Sequence, residues 1–333
     1  MSLTSALKNP KSPLGRFVAE RLANSGLIRD DWKARVADRP TLRPPAEAGP
    51  TPWSTIGMAI DYRIRYYFAV TPPADLVAVH GGMWKIGAGG PVIDLAVPGP
   101  RRHEGFIFFD RDDLGELPRE EARSASSLAW QLVQHLTILT DRLAPVGKRL
   151  ALSDEAELAR VCYALALYEE LYRVGPMAID SALYGLPAGA TLDDLLGLVR
   201  PVIVDDLCEL SWAFYDGQTE LIGESAVLNP TFAGSRDVGG ADADLIVGGC
   251  LMDIKATVNP IPLKPLDLSQ IVCYALLDYD DQYAIESVGI YLARQALLIR
   301  WRLADLVFVL NGGRSSVEAL RHDLREVLTP GSP

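Results

Sequence analysis

GGADADLIVGGCLMDIKAT, residues 239–257, sets three aspartates and a lysine inside what otherwise reads as two short apolar strands. The runs ADADLIV and CLMDIKA flank Gly248-Gly249, and two glycines between alternating segments signal a tight hairpin. A two-residue turn fixes the register. It places Val247 opposite Cys250, Ile246 opposite Leu251, Leu245 opposite Met252, Asp244 opposite Asp253 and Asp242 opposite Lys255. Because side chains alternate, Asp242, Asp244, Asp253 and Lys255 share one face, while Ala243, Leu245, Val247, Cys250, Met252 and Ile254 turn the other face to a core. Directly opposed residues have Cβ atoms about 5 Å apart, so the two carboxylates repel. A divalent cation with oxygen ligands is the simplest compensation. Lys255 beside it would polarise a water or stabilise charge developing on a phosphorus centre. The plainer alternative is a half-exposed hairpin whose charges face water.

An acid, then an acid-x-Lys, across a β-hairpin resembles the PD-(D/E)XK nuclease superfamily, with Asp244 as the first acid and Asp253-Ile254-Lys255 as the D-x-K. Gln270 and Tyr274 follow at i, i+4 on one helical face. They resemble the Q-x-x-x-Y helix of the RecB-like branch. Upstream, IGMAIDYRIR is similar to that branch's G-x-x-x-H motif, with Gly57 in the glycine place and Asp61 where the family carries a metal-binding histidine. The resemblance implies a restriction-endonuclease-like α/β fold, a mixed central β-sheet flanked by helices. It also implies hydrolysis of nucleic-acid phosphodiesters with Mg2+ or Mn2+, of DNA in preference to RNA, in repair, recombination or phage defence. Asp244 and Asp253 would hold the metal, Lys255 would activate water or steady the transition state, and Gln270 and Tyr274 would orient the lysine or the phosphate. Asp242 is either a third ligand or the ion-pair partner of Lys255. Asp61 is either a ligand or the i, i+4 partner of Arg65. Glu169, Glu170 and Glu209 are alternative helical carboxylates, more often solvated on amphipathic helices. The rival reading is a non-catalytic nucleic-acid-binding or assembly subunit with the same fold, whose partners are the proteins of a multi-subunit system.

Around this motif the chain reads as four parts. Residues 1–52 form a basic helical arm and Pro-rich linker, with Ser12-Pro13 as helix cap and first position. Residues 53–110 form the N-terminal part of the core, including a helix opened by Ser54 or Thr55. Residues 111–216 are a helical insertion with apolar residues at i, i+3, i+4 and i+7. Residues 217–333 carry the nuclease core: strands over 241–247, 250–257, 288–294 and 297–302, a helix over 267–278, and a closing helix with Ser315 and Glu318 in capping-box spacing.

Composition narrows the classes. The 333 residues, 49% hydrophobic and 23% charged, are ordinary globular values. No apolar run is long enough to span a bilayer and no secretory signal opens the chain, so a cytoplasmic protein without membrane partners is expected. Net charge is −11, but residues 1–45 carry +5 and the remainder −16. That basic segment is either a phosphate-tracking arm or a solvated helical face. Cys162, Cys208, Cys250 and Cys273 form no CxxC pair and read as buried thiols. With no cysteine after Cys273, no iron–sulfur cluster is expected. His80, His103, His135 and His322 lack zinc-hydrolase spacing, and VHGGMWKIGAGG lacks the ending of a phosphate-binding loop.

Overall fold

The computed structural model describes residues 2–45, 52–71, 76–78, 119–174, 181–187 and 189–329. The glycine-rich VHGGMWKIGAGG stretch, with His80 and His103, lies outside the described residues. The chain divides into two compact units, residues 1–43 with 217–333, and residues 44–216.

The first unit is built on a five-stranded mixed sheet in the order β1-β2-β3-β4-β5. Its strands are β1 (Ala226–Leu228), β2 (Leu245–Val247), β3 (Cys250–Lys255), β4 (Ser287–Leu292) and β5 (Leu297–Arg302). β2 runs antiparallel to both β1 and β3, β4 runs parallel to β3, and β5 runs antiparallel to β4. β1, β3 and β4 therefore point the same way, and their carboxyl ends lie at one end of the sheet. Around it pack α1 (Leu3–Lys8), α2 (Pro13–Arg21) and α3 (Gly26–Val36), and, from later in the chain, helices over Pro265–Leu277, Leu303–Asn311 and Val317–Leu328. An α/β unit with helices flanking a mixed sheet is the architecture observed.

The N-terminal segment is not a free basic arm. Leu3, Leu14, Phe17, Ile28, Trp32 and Val36 are buried in the same core as Ile246, Leu251, Val288 and Ile290. Trp32 stacks on Trp301 of β5 with ring centroids 6.2 Å apart and donates to the Pro260 carbonyl at 2.8 Å. The apolar residues at helical spacing decide the matter, because burying them outweighs exposing the lysines and arginines on the opposite faces. Ser12 does cap α2, accepting from Gly15 N–H at 2.8 Å.

The described residues of the second unit are helical, forming α4 (Trp53–Arg65), α5 (Arg119–Leu143), α6 (Leu152–Val174), α7 (Leu192–Leu196) and α8 (Pro201–Gly217). We label the three remaining helices of the first unit α9 (Pro265–Leu277), α10 (Leu303–Asn311) and α11 (Val317–Leu328). α4, expected within the nuclease core, belongs instead to this second unit, because its principal contact is with α6. It also starts earlier than Ser54 or Thr55: Pro52 is its cap, and the Pro52 carbonyl accepts from Ile56 N–H at 2.9 Å. Pro201 opens α8 and separates it from α7, since proline removes a helical donor and suits a first turn. At the far end Ser316, not Ser315, caps α11 by accepting from Ala319 N–H.

Candidate metal site at the carboxyl end of the sheet

The hairpin forms with the register its sequence dictates. Leu245 pairs with Met252, Ile246 with Leu251 and Val247 with Cys250, and Gly248 and Gly249 adopt φ of 50° and 71°. β2 is nonetheless short, beginning at Leu245 rather than near residue 241. Gly239 and Gly240, at φ of 76° and 115°, break the extended path upstream. The Asp244 carboxylate also accepts Ile254 N–H at 2.6 Å, taking the donor that a longer ladder would give to a backbone carbonyl. Asp242 pairs with Thr231 in an isolated bridge.

The aspartate face is not the solvent face of an amphipathic hairpin. Leu245, Val247, Cys250 and Met252 are buried as expected, but so are Ile246 and Leu251 on the aspartate side, packed with α9 and the N-terminal helices. β3 is an interior strand, and interior strands beside a parallel neighbour are covered on both sides. Asp253 is consequently 4% exposed.

Lys255 Nζ lies 2.8 Å from Asp253 Oδ2. Oδ2 is buried, and the Lys255 ammonium is the charge it faces. Burial pushes the Asp253 carboxyl up to about 7; Lys255 pulls it down, and Asp244 pushes it further up. Burial works against the Lys255 ammonium, but Asp253, Asp244 and Asp267 outweigh it and hold its pKa above the usual lysine value.

α9 starts at Pro265 and presents Gln270 and Tyr274 together. Gln270 Nε2 donates to the Tyr274 hydroxyl at 3.0 Å. Burial raises the Tyr274 phenol, and the charges of Asp242, Asp253 and Asp244 raise it further, so the ring lies on the side of the acidic cluster. Asp267, in the first turn of the same helix, acts on both Asp253 and Lys255. The sequence reading omitted it. Its signal was the i, i+3, i+7 stripe of Asp267, Gln270 and Tyr274.

Asp61 is paired within its own helix. It lies in the second unit, where Arg65 Nε donates to Oδ1 at 2.9 Å and Arg65 Nη2 bonds Oδ2. The ion-pair alternative is what the structure places there. Glu169 is buried in that unit and paired with Arg173, and Glu170 and Glu209 lie in it as well. All four cysteines are buried and free.

Among the described residues, one group of three potential ligands gathers its donor atoms within 4.8 Å, His322, Asp323 and Glu326 on α11. It is exposed in part, and Asp323 already pairs with Arg21 at 3.1 Å. The hairpin aspartates do not form such a triad by themselves. Their chemistry still suits a hard divalent cation: two opposed carboxylates, one of them buried, are what Mg2+ or Mn2+ takes.

Among the described residues no helix is long and apolar enough to cross a membrane. No family model matches the chain, and no curated protein or solved structure shows significant similarity to it.

Proposed function

We propose that the protein is a Mg2+- or Mn2+-dependent nuclease hydrolysing nucleic-acid phosphodiesters, DNA in preference to RNA, on a restriction-endonuclease-like core. One observation carries the reading. Asp244, Asp253 and Lys255 converge at the carboxyl end of β3, and the charges of the first two reach the Tyr274 phenol of the following helix. Ligand sites in open α/β sheets favour such strand ends.

Asp244 and Asp253 would hold the cation, which when bound lowers the pKa of a water and offsets charge on the phosphoryl oxygens. Asp253 must lose its proton for this, because a ligating carboxylate is ionised. Lys255 keeps its charge and serves where negative charge grows in the transition state. Gln270 orients the Tyr274 hydroxyl, and the raised phenol keeps its proton, so Tyr274 remains a donor at neutral pH.

A second reading has its own support. Lys255 at 2.8 Å already neutralises Asp253 without a metal, as a non-catalytic scaffold would allow. Cleavage of plasmid and single-stranded oligonucleotides with Mg2+ or Mn2+, beside calorimetric Mn2+ binding, separates the two. Lys255→Ala is expected to cut cleavage by about a hundredfold or more while Mn2+ still binds. Asp253→Ala is expected to lose Mn2+ binding itself. A parent protein that neither binds Mn2+ nor cuts any tested substrate establishes the scaffold reading instead.

A further inference from the structure

Two aspartates leave a divalent cation short of protein oxygens, and the sheet register shows where another lies. Val227 pairs with Ile246 and Leu228 with Leu245, so Asn229 falls opposite Asp244, and its N–H donates to the Asp244 carbonyl at 3.1 Å. Asp244 in turn falls opposite Asp253 by the hairpin register, continuing from the Leu245–Met252 pair. Asn229, Asp244 and Asp253 thus form one row across β1, β2 and β3, at the end of the sheet that carries Lys255.

One end of that row holds an oxygen without a donor. Asn229 Oδ1 is buried without a hydrogen-bond donor, while Asp253 Oδ2 at the other end faces the Lys255 ammonium at 2.8 Å. A buried acceptor left unmatched is costly, and one set in a row with two carboxylates calls for a shared electrophile. Asn229 is also held at φ 47° ahead of Pro230, a conformation that proline disfavours in the residue before it. A carboxamide oxygen is an ordinary ligand for hard cations.

We propose that the Asn229 carboxamide oxygen is a third protein ligand, direct or through one water, of the divalent cation held by Asp244 and Asp253. This rests on the functional reading above. Calorimetric Mn2+ titration of the full-length protein tests it with two variants. Asn229→Gly removes the carboxamide and keeps the positive φ free of strain; it is expected to weaken Mn2+ binding at least tenfold. Asn229→Asp keeps the oxygen and adds charge; it is expected to tighten binding at least threefold. Far-UV circular dichroism verifies folding, and either variant alone decides the question if the other does not fold. Affinities within twofold of the parent overturn the role of Asn229 and leave the nuclease reading standing. A parent that binds no Mn2+ overturns both.

Discussion

Asp253 is a buried carboxylate whose usual ionisation is opposed by its surroundings, and this sets how the protein should respond to pH. With its carboxyl raised to about 7 in the folded state and near 3.9 in an unfolded chain, the folded protein holds a proton that the unfolded chain has released. Stability linked to this group is full below about pH 4 and declines as pH rises towards 7. The melting temperature of the metal-free protein should therefore fall between pH 5 and pH 8 more steeply in the parent than in Asp253→Asn, as scanning calorimetry would record. Because the cation needs the ionised carboxylate, Mn2+ affinity should be about tenfold weaker at pH 6 than at pH 8. A pH-independent affinity would remove Asp253 from the ligand set. At this scale the residue types were legible: alternation alone put Asp244, Asp253 and Lys255 on one face. Their burial was not, because nothing local to the hairpin says what covers it.

At the scale of elements, the hairpin and the α4–α6 pair make contrasting demands. Gly248 sits at φ 50°, where a residue with a side chain costs about 1–2 kcal/mol and Asn least. Gly248→Val should lower the denaturation free energy by about that amount and Gly248→Asn by much less, measured by urea titration. The turn was readable because its requirement is backbone-local. The α4–α6 contact was not. Arg63 donates through Nε and Nη2 to both oxygens of Glu155, at 2.6 and 2.9 Å, with the two side chains 2% and 0% exposed. Its guanidinium also lies 3.8 Å from the centroid of the Tyr67 ring. Two residues 92 positions apart meet only once the helices pack, and no spacing rule spans that distance. Glu155→Ala leaves a buried guanidinium uncompensated and should cost about 3–5 kcal/mol in the second unit. Loss of less than about 1 kcal/mol would mean that water reaches Arg63.

For the whole molecule, the discontinuity of the sheet-bearing unit matters most. Its first segment ends beside the turn over residues 293–296, where Leu42 N–H donates to the Arg294 carbonyl at 2.7 Å. Its second segment resumes at the same turn, where Gln218 donates to the Ala296 carbonyl at 3.4 Å. The two chain ends of the unit are thus neighbours, the arrangement in which inserted segments are tolerated. Replacing residues 44–216 by a short Gly/Ser linker should give a protein that melts cooperatively and binds Mn2+ as the parent does. Deleting residues 1–43 should instead abolish folding of this unit, since Phe17 and Trp32 are part of its core. A cooperative melt after that deletion would contradict the core assignment.

The hairpin, its register, the pairing of Gln270 with Tyr274, the Ser12 cap and most helices follow from patterns confined to a few neighbouring residues, and periodicity and turn chemistry are enough to fix such patterns. The assignment of residues 1–43 to the sheet and of α4 to the helical unit depends on which apolar face meets which, a choice made by contacts among residues distant in the chain. The same holds for the site. Its carboxylates and lysine are written in a single run of the chain, whereas Asp267, and Asn229 in its row with Asp244 and Asp253, reach it only because three strands and a crossover helix end together.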